Sequence, residues 1–341
     1  MAFFTLFPGP PPSYLSSPSR TLLILWSSLS LLLSLAGNTL VLRASLAHNA
    51  IRLDKVSVVL VRSIAVVDLC SAVTVILPGI TGLVAEVWVL GEWLCLVCAY
   101  LTYVLPIANA LLIAGLNCNK LYCLLYPFRS RVLSTSTGIK LSSFLIFLAS
   151  TYIVQNVICE RPAAFDRFVY RCTESGDSPL WEVTSRINSI VYVLLPLGLI
   201  VGSTLWLLLF VGSRGVLRSQ SVALILSVSI VHLLSYGPFV VYQIQREPLH
   251  TFYIFAVFIN YLSTFSNPLL YYWSSLSFKL YMDSLVTGIT RRVSSTGRLP
   301  RLGSYGSSGR ANQTRGLDLG SRNGLDFGPR VVQATICTSE L

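Results

Sequence analysis

Hydrophobic residues fall into seven long runs separated by short polar stretches, near 21–44, 56–81, 95–123, 138–159, 186–211, 218–244 and 251–274. Each is long enough for an α-helix to cross the hydrocarbon core of a bilayer, which takes roughly 20 residues. A membrane β-barrel would alternate apolar and polar residues over strands of about 10 residues. These runs are continuous and longer, so the pattern predicts an all-α membrane protein: a seven-helix transmembrane bundle over 21–274. The least marked boundary is Gly212-Ser213-Arg214-Gly215, between the fifth and sixth runs. Residues 1–20 read as a short N-terminal segment. Met1 to Pro18 lacks the basic start of a signal peptide, so the first helix is expected to serve for targeting.

Beyond the seventh run, Phe278, Tyr281, Met282 and Leu285 recur at helical spacing with Lys279 on the polar side. This predicts a short interfacial amphipathic helix over 276–287. From 288 to 341 the chain is rich in Gly, Ser and Arg and reads as a disordered tail.

Composition agrees with this reading. The chain is 53% hydrophobic and 11% charged, less than half the charge of a typical soluble domain. A net charge of +11 raises the question of nucleic acid, but no basic run is interleaved with aromatics. The basic residues instead collect in alternate loops: Arg43, Arg52 and Lys55; Arg129, Arg131 and Lys140; Arg214 and Arg218; and the tail. By the positive-inside rule the N-terminus lies outside and the C-terminus in the cytoplasm. Seven crossings have the same parity.

Polar groups at membrane depth point to function. Asp68 sits in the middle of the second run, where a bare carboxylate is costly and needs a proton, a cation or hydrogen bonds. Its candidate partners are Asn38, Asn109, Ser263 and Asn267. The cluster reads either as a site for water or a small cation such as Na+, or as a static packing network; both require the same contacts. Arg62 and Lys120 lie nearer the cytoplasmic ends and are expected to snorkel to the headgroups. His232 reads as a packed neutral histidine. No metal site is expected, because no His/Cys/carboxylate cluster has ligand spacing. No nucleophile–base constellation suggests an enzyme.

Most of the eight cysteines lie in apolar runs. Cys95, at the outer start of the third run, and Cys172, in the following outer loop, both face an oxidising compartment and form the preferred disulfide pair. Cys159 competes as partner.

Together these residues resemble a rhodopsin-like (class A) G-protein-coupled receptor, over roughly residues 22–282. Gly37-Asn38 is similar to the first-helix motif, and Asp68 stands at the second-helix acid. Trp88-x-x-Gly91-x-x-x-Cys95 matches the first outer loop and third-helix cysteine, and Cys172 fits the disulfide partner. Pro196 and Pro238 match the helix-five and helix-six prolines. Asn267-Pro268-x-x-Tyr271 matches the seventh-helix motif. The resemblance implies a receptor in the plasma membrane that passes an extracellular signal to a heterotrimeric G protein or arrestin. Positions facing its ligand space are Thr102, Tyr103, Asn188, Tyr192, Phe239, Gln243 and Tyr261, whose bland reading is ordinary packing. Thr102 stands where amine receptors carry aspartate, so an amine bound in their manner is not expected. A small molecule, a lipid or a short peptide remains.

The departures concentrate at the switch positions. Asn119-Lys120-Leu121 replaces the acidic-Arg-Tyr triplet, and Tyr236 replaces the toggle tryptophan. Thr204 replaces the inner tyrosine of helix five. Loss of the acid implies either raised basal activity or weak, even absent, coupling. A retinal protein needs a lysine in the seventh helix, and none is there. A multi-helix transporter stays as the rival class, although no internal repeat supports it. In the tail, Ser294 follows Arg291-Arg292-Val293 as a candidate kinase site, and Ser339-Glu340-Leu341 resembles a PDZ-domain ligand.

Overall fold

The computed structural model describes residues 16–46, 53–158, 163–174, 179–214, 220–244 and 250–296. Seven long helices form the bundle. α1 is Ser17–Leu46. α2 starts at Lys55–Ser71, passes through a π-helical turn at Ala72–Ile76 and continues as Leu77–Ala85. α3 is Glu92–Leu125, followed by a single helical turn at Pro127–Ser130, and α4 is Thr135–Ile158. α5 starts at Pro179–Asn188, passes a π segment at Ser189–Leu194 and continues as Leu195–Arg214. α6 is Gln220–Ile244, α7 is His250–Ser274 and α8 is Leu276–Thr296. Between α4 and α5, strands β1 (Ala163–Asp166) and β2 (Arg171–Glu174) pair antiparallel.

Six of these helices are long and apolar enough to cross a membrane, α1 to α6. In α7, Asn260, Ser263, Thr264, Ser266 and Asn267 dilute the hydropathy. Four of these five are buried, and α7 packs between α1 and α6. A helix with that inward face completes the bundle. Several helices outrun the apolar segments, because their polar first and last turns lie beyond the hydrophobic pattern. α8 also continues past 287 to Thr296; no proline interrupts the chain before Pro300. The compact bundle unit runs through Tyr281, and the described residues from Met282 to Thr296 belong to a second unit.

α1 is inside-out relative to a helix of a soluble bundle. On α1, Ser27, Ser30, Ser34, Asn38, Val41 and Ala44 are buried, at a spacing of three and four, while Leu22, Leu25, Leu29 and Leu32 face outward. Small and polar residues let helix backbones approach closely in lipid. Gly37 shows how closely: a Cβ there would meet the Pro268 ring at 2.8 Å.

Both π turns lie just before a proline, Pro78 and Pro196. Proline has no N–H to donate four residues back, so the preceding turn widens. At α2, Asp54 caps the N-terminus by accepting from Ser57 N–H at 3.0 Å. At the other end of α2, Trp88 Nε1 donates to Gly91 O at 2.7 Å, and Gly91 takes φ +82° before α3 begins.

The β-hairpin is pinned to α3 by a Cys95–Cys172 disulfide, with a Cα–Cα distance of 5.3 Å. Phe165 pairs with Cys172 and Asp166 with Arg171. The turn ends on Tyr170, a non-glycine residue at φ +54°. Its carbonyl presses on α2, where a Cβ at Gly82 would lie 2.2 Å from it.

Candidate functional site

At the centre of the bundle Asp68 is fully buried. Its Oδ1 accepts from Asn109 Nδ2 at 2.6 Å, and its Oδ2 accepts from Asn267 Nδ2 at 3.0 Å. One carboxylate therefore ties α2 to α3 and α7. Three of the five clustered residues predicted from sequence meet here.

The other two do not contact the carboxylate. Ser263 donates to Asn260 O at 2.8 Å. Asn38 Nδ2 donates to Thr264 O at 2.8 Å and to Ser34 O at 3.0 Å. Thr264 is four residues before Pro268, so its carbonyl is the one the proline leaves without a helical donor. Asn38 fills that vacancy, and Ser34 Oγ approaches the same carbonyl at 3.3 Å. The polar groups of α1 thus serve the carbonyl ahead of Pro268 rather than the Asp68 carboxylate, although Ser34 Oγ also reaches the Asp68 backbone carbonyl at 3.4 Å.

Toward the disulfide end lies a cavity of about 430 Å³, counting the space at its open mouth. Its enclosed part has room for little more than a water. Of the positions expected to face a ligand, Thr102, Phe239 and Tyr261 line it, as do Asn109 and Ser263. Thr102 Oγ1 donates back to Cys98 O at 2.8 Å. Tyr103, Asn188 and Tyr192 are not among the lining residues. Tyr192 shares a hydrogen bond with Thr151 of α4 at 3.1 Å and stands edge-on to Tyr152. It lies within the α5 π segment, which turns it toward α4. Tyr103 stacks between Tyr152 and Phe239. The Gln243 side chain lies outside the described residues, as do the side chain of Ser294 and all of Ser339–Leu341.

Among the lining residues that sequence reasoning did not single out are Arg171 and Asn260. Arg171 is 6% exposed and hydrogen-bonds with Tyr261. Burial disfavours its cation, but Tyr253, Tyr261, Tyr103 and Asp166 together hold its pKa above the ordinary guanidinium value. The available signal was a basic residue next to a cysteine tied across the bundle.

Toward the opposite end, α3 contacts α6 through two side chains. Asn117 Oδ1 accepts from Ser229 Oγ at 3.0 Å, while its Nδ2 donates to Ser203 and Thr204 of α5 at 3.1 and 3.0 Å. Lys120 Nζ donates to Ser221 Oγ of α6 at 2.7 Å and is 2% exposed. It does not snorkel: a hydroxyl across the bundle is nearer than the headgroups. Arg62 does not reach outward freely either; it donates to Ser45 Oγ at 3.1 Å and Ser45 O at 2.9 Å at the end of α1. Asn119 Nδ2 donates to Asp54 Oδ1 at 2.9 Å and to Ser57 Oγ at 3.0 Å. The amide that replaces an acid therefore clamps α3 to the cap of α2.

Between these levels, Tyr236 is buried and stacks with His232 and Phe239 at 5.4 and 5.8 Å. Pro196, Pro238 and Pro268 lie inside α5, α6 and α7. Tyr271 is buried edge-on to Phe278, and its hydroxyl has no partner. Among the described residues no group of three His, Cys, Asp or Glu side chains is arranged to hold a metal ion.

The family model described as 7 transmembrane receptor (rhodopsin family) matches residues 37–271, more than half of the chain. A comparison with curated proteins found no match.

Proposed function

Because the chain belongs to the rhodopsin family of seven-transmembrane receptors, we propose that it relays an extracellular ligand to a heterotrimeric G protein, with arrestin as a second partner. The ligand is a small molecule, a lipid or a short peptide. On this reading the chain sits in the plasma membrane with the Lys120 end in the cytoplasm and the disulfide end outside, which the basic residues of alternate loops support through the positive-inside rule.

The observation that carries this reading is the way α3 holds α6. Toward the Lys120 end the two helices are joined by the hydrogen bonds Asn117–Ser229 and Lys120–Ser221. Hydrogen bonds between membrane helices average about 0.6 kcal/mol. Two of them hold a helix in place and still let it move for a modest differential affinity.

The test reads G-protein activation and arrestin recruitment together, without ligand, at matched surface expression. Ser221→Ala removes this one hydrogen bond between α3 and α6 and should raise basal activation about threefold, which is what about 0.6 kcal/mol amounts to. Lys120→Ala should remove it. Equal, silent outputs from both variants and wild type across all G-protein classes would favour the second reading, a receptor-like protein with weak or no coupling. That reading is motivated by Lys120 itself, which lacks the planar fork of arginine.

The oxygens around Asp68 also suit a hard monovalent cation such as Na+. Asp68, Asn109, Ser263 and Asn267 would hold it, and the unpartnered Asn109 Oδ1 is the acceptor such an ion would use.

A further inference from the structure

Resting on the receptor reading above, we propose that the cavity beneath the β-hairpin binds a small organic monoanion: a carboxylate that also carries a hydrogen-bond donor. Arg171 takes the carboxylate, and the amide oxygens of Asn109 and Asn260 take the donor.

Arg171 is the charged residue of the cavity wall. A guanidinium has five N–H donors in a fixed fork, and its hydrogen bond to Tyr261 leaves most of them unused. Its Nε is buried with no partner. Among the described residues no carboxylate lies within 4.0 Å of it. The acid directly across the hairpin, Asp166, is engaged elsewhere: its Oδ1 accepts Phe168 N–H at 2.8 Å inside the turn. Asp166 favours the cation from a distance, but a buried cation without a directly paired carboxylate is expensive to keep. The fork matches a planar carboxylate in bidentate fashion. One cation in a closed site suits one negative charge, not a dianion.

The deeper wall carries the complementary need. Asn109 commits its Nδ2 to Asp68, so its Oδ1 remains an acceptor, and that atom is buried and unpartnered. Asn260 Oδ1 is in the same condition on the same cavity. Phe239 and Ile76 supply apolar wall. Three unsatisfied polar atoms of complementary kinds thus surround one narrow space. A molecule with an anionic end and a hydroxyl or amino end satisfies all three. The enclosed part has room for little more than a water, so only a few heavy atoms fit, with the rest of the molecule in the open mouth.

The test is thermal melting of the purified full-length protein in lipid nanodiscs with named probes: lactate, glycolate and 3-hydroxybutyrate. Lactamide and ethanolamine serve as uncharged-end and cationic counterparts, and acetate as the anion without a donor. At least one donor-bearing carboxylate should raise the melting temperature saturably, as a ligand of the native state does. Acetate should bind more weakly, and the counterparts should give no shift at the same concentration. Arg171→Gln should weaken that carboxylate at least tenfold, and Arg171→Lys less.

If Arg171→Gln does not fold, the wild-type comparison decides alone: equal shifts with lactate and lactamide overturn the proposal. Undiminished carboxylate shifts in Arg171→Gln overturn it too, placing the anion elsewhere and leaving Arg171 as a structural tie to Tyr261. Stabilisation by ethanolamine or lactamide but no carboxylate overturns the ligand class and leaves the receptor reading standing. No shift with any probe overturns the proposal, while the receptor reading is judged separately by the G-protein assay above.

Discussion

Asn38 and Asn267 are both buried asparagines near the same proline, yet they do different work. Asn267 donates to the buried Asp68 carboxylate, whereas Asn38 donates to the backbone carbonyl that Pro268 leaves free. Removing Asn267 strips an acid of one of its two donors. Removing Asn38 leaves only Ser34 to approach an orphaned carbonyl. Leaving a buried group unsatisfied costs about 1–3 kcal/mol in water-soluble proteins. In membranes the average is nearer 0.6 kcal/mol, because the unfolded helices also find partners. Asn267→Ala should therefore lower the melting temperature of the purified protein by an amount corresponding to about 1 kcal/mol. Asn38→Ala should cost about half that, and should cost less still in a Pro268→Ala background, where Thr264 O regains a helical donor. A double-mutant cycle on the melting curves checks this coupling; additive effects would break the assignment.

At the scale of elements, close approach decides where glycine is required. Gly37 sits against Pro268 and Gly82 against the carbonyl of Tyr170. The two positions hold different objects in place: the α1–α7 contact and the hairpin over the cavity. Gly82→Ala should push the hairpin off α2. The predicted outcome is faster reduction of the Cys95–Cys172 disulfide under a mild reductant, measured by thiol labelling, with the Asp68 contacts unaffected. Gly37→Ala should do the reverse, lowering thermal stability through the α1–α7 contact while leaving the disulfide as slow to reduce as in wild type.

The whole bundle was largely legible from the sequence because length and hydropathy alone demand membrane helices. Seven runs, two loop cysteines and the Asn267-Pro268-x-x-Tyr271 motif sufficed for the architecture. What was not legible depends on rotation and depth. Tyr192 was expected at a ligand space, but it lies within the α5 π segment, which shifts side-chain phase, and turns to α4. Lys120 was expected to snorkel, but the Ser221 hydroxyl one helix away competes with the headgroups. Arg171 escaped notice because a loop residue's depth follows from how the disulfide and Gly82 seat the hairpin, and no periodicity reports that. The departures at Asn119, Lys120 and Thr204 looked like missing parts. In the fold, Asn119 and Lys120 gain partners at Asp54 and Ser221, and Thr204 is one of three hydroxyls gathered by Asn117.

That substitution of hydrogen bonds for charge is the central claim, and nucleotide exchange tests it most directly. The purified chain in nanodiscs is presented to purified heterotrimeric G proteins of each class, without ligand, as wild type and as Ser229→Ala. Loss of the Asn117–Ser229 bond should loosen α6 and raise exchange on at least one G protein about threefold, in proportion to about 0.6 kcal/mol. Identical exchange rates for the two proteins on a G protein that wild type does activate would contradict the account.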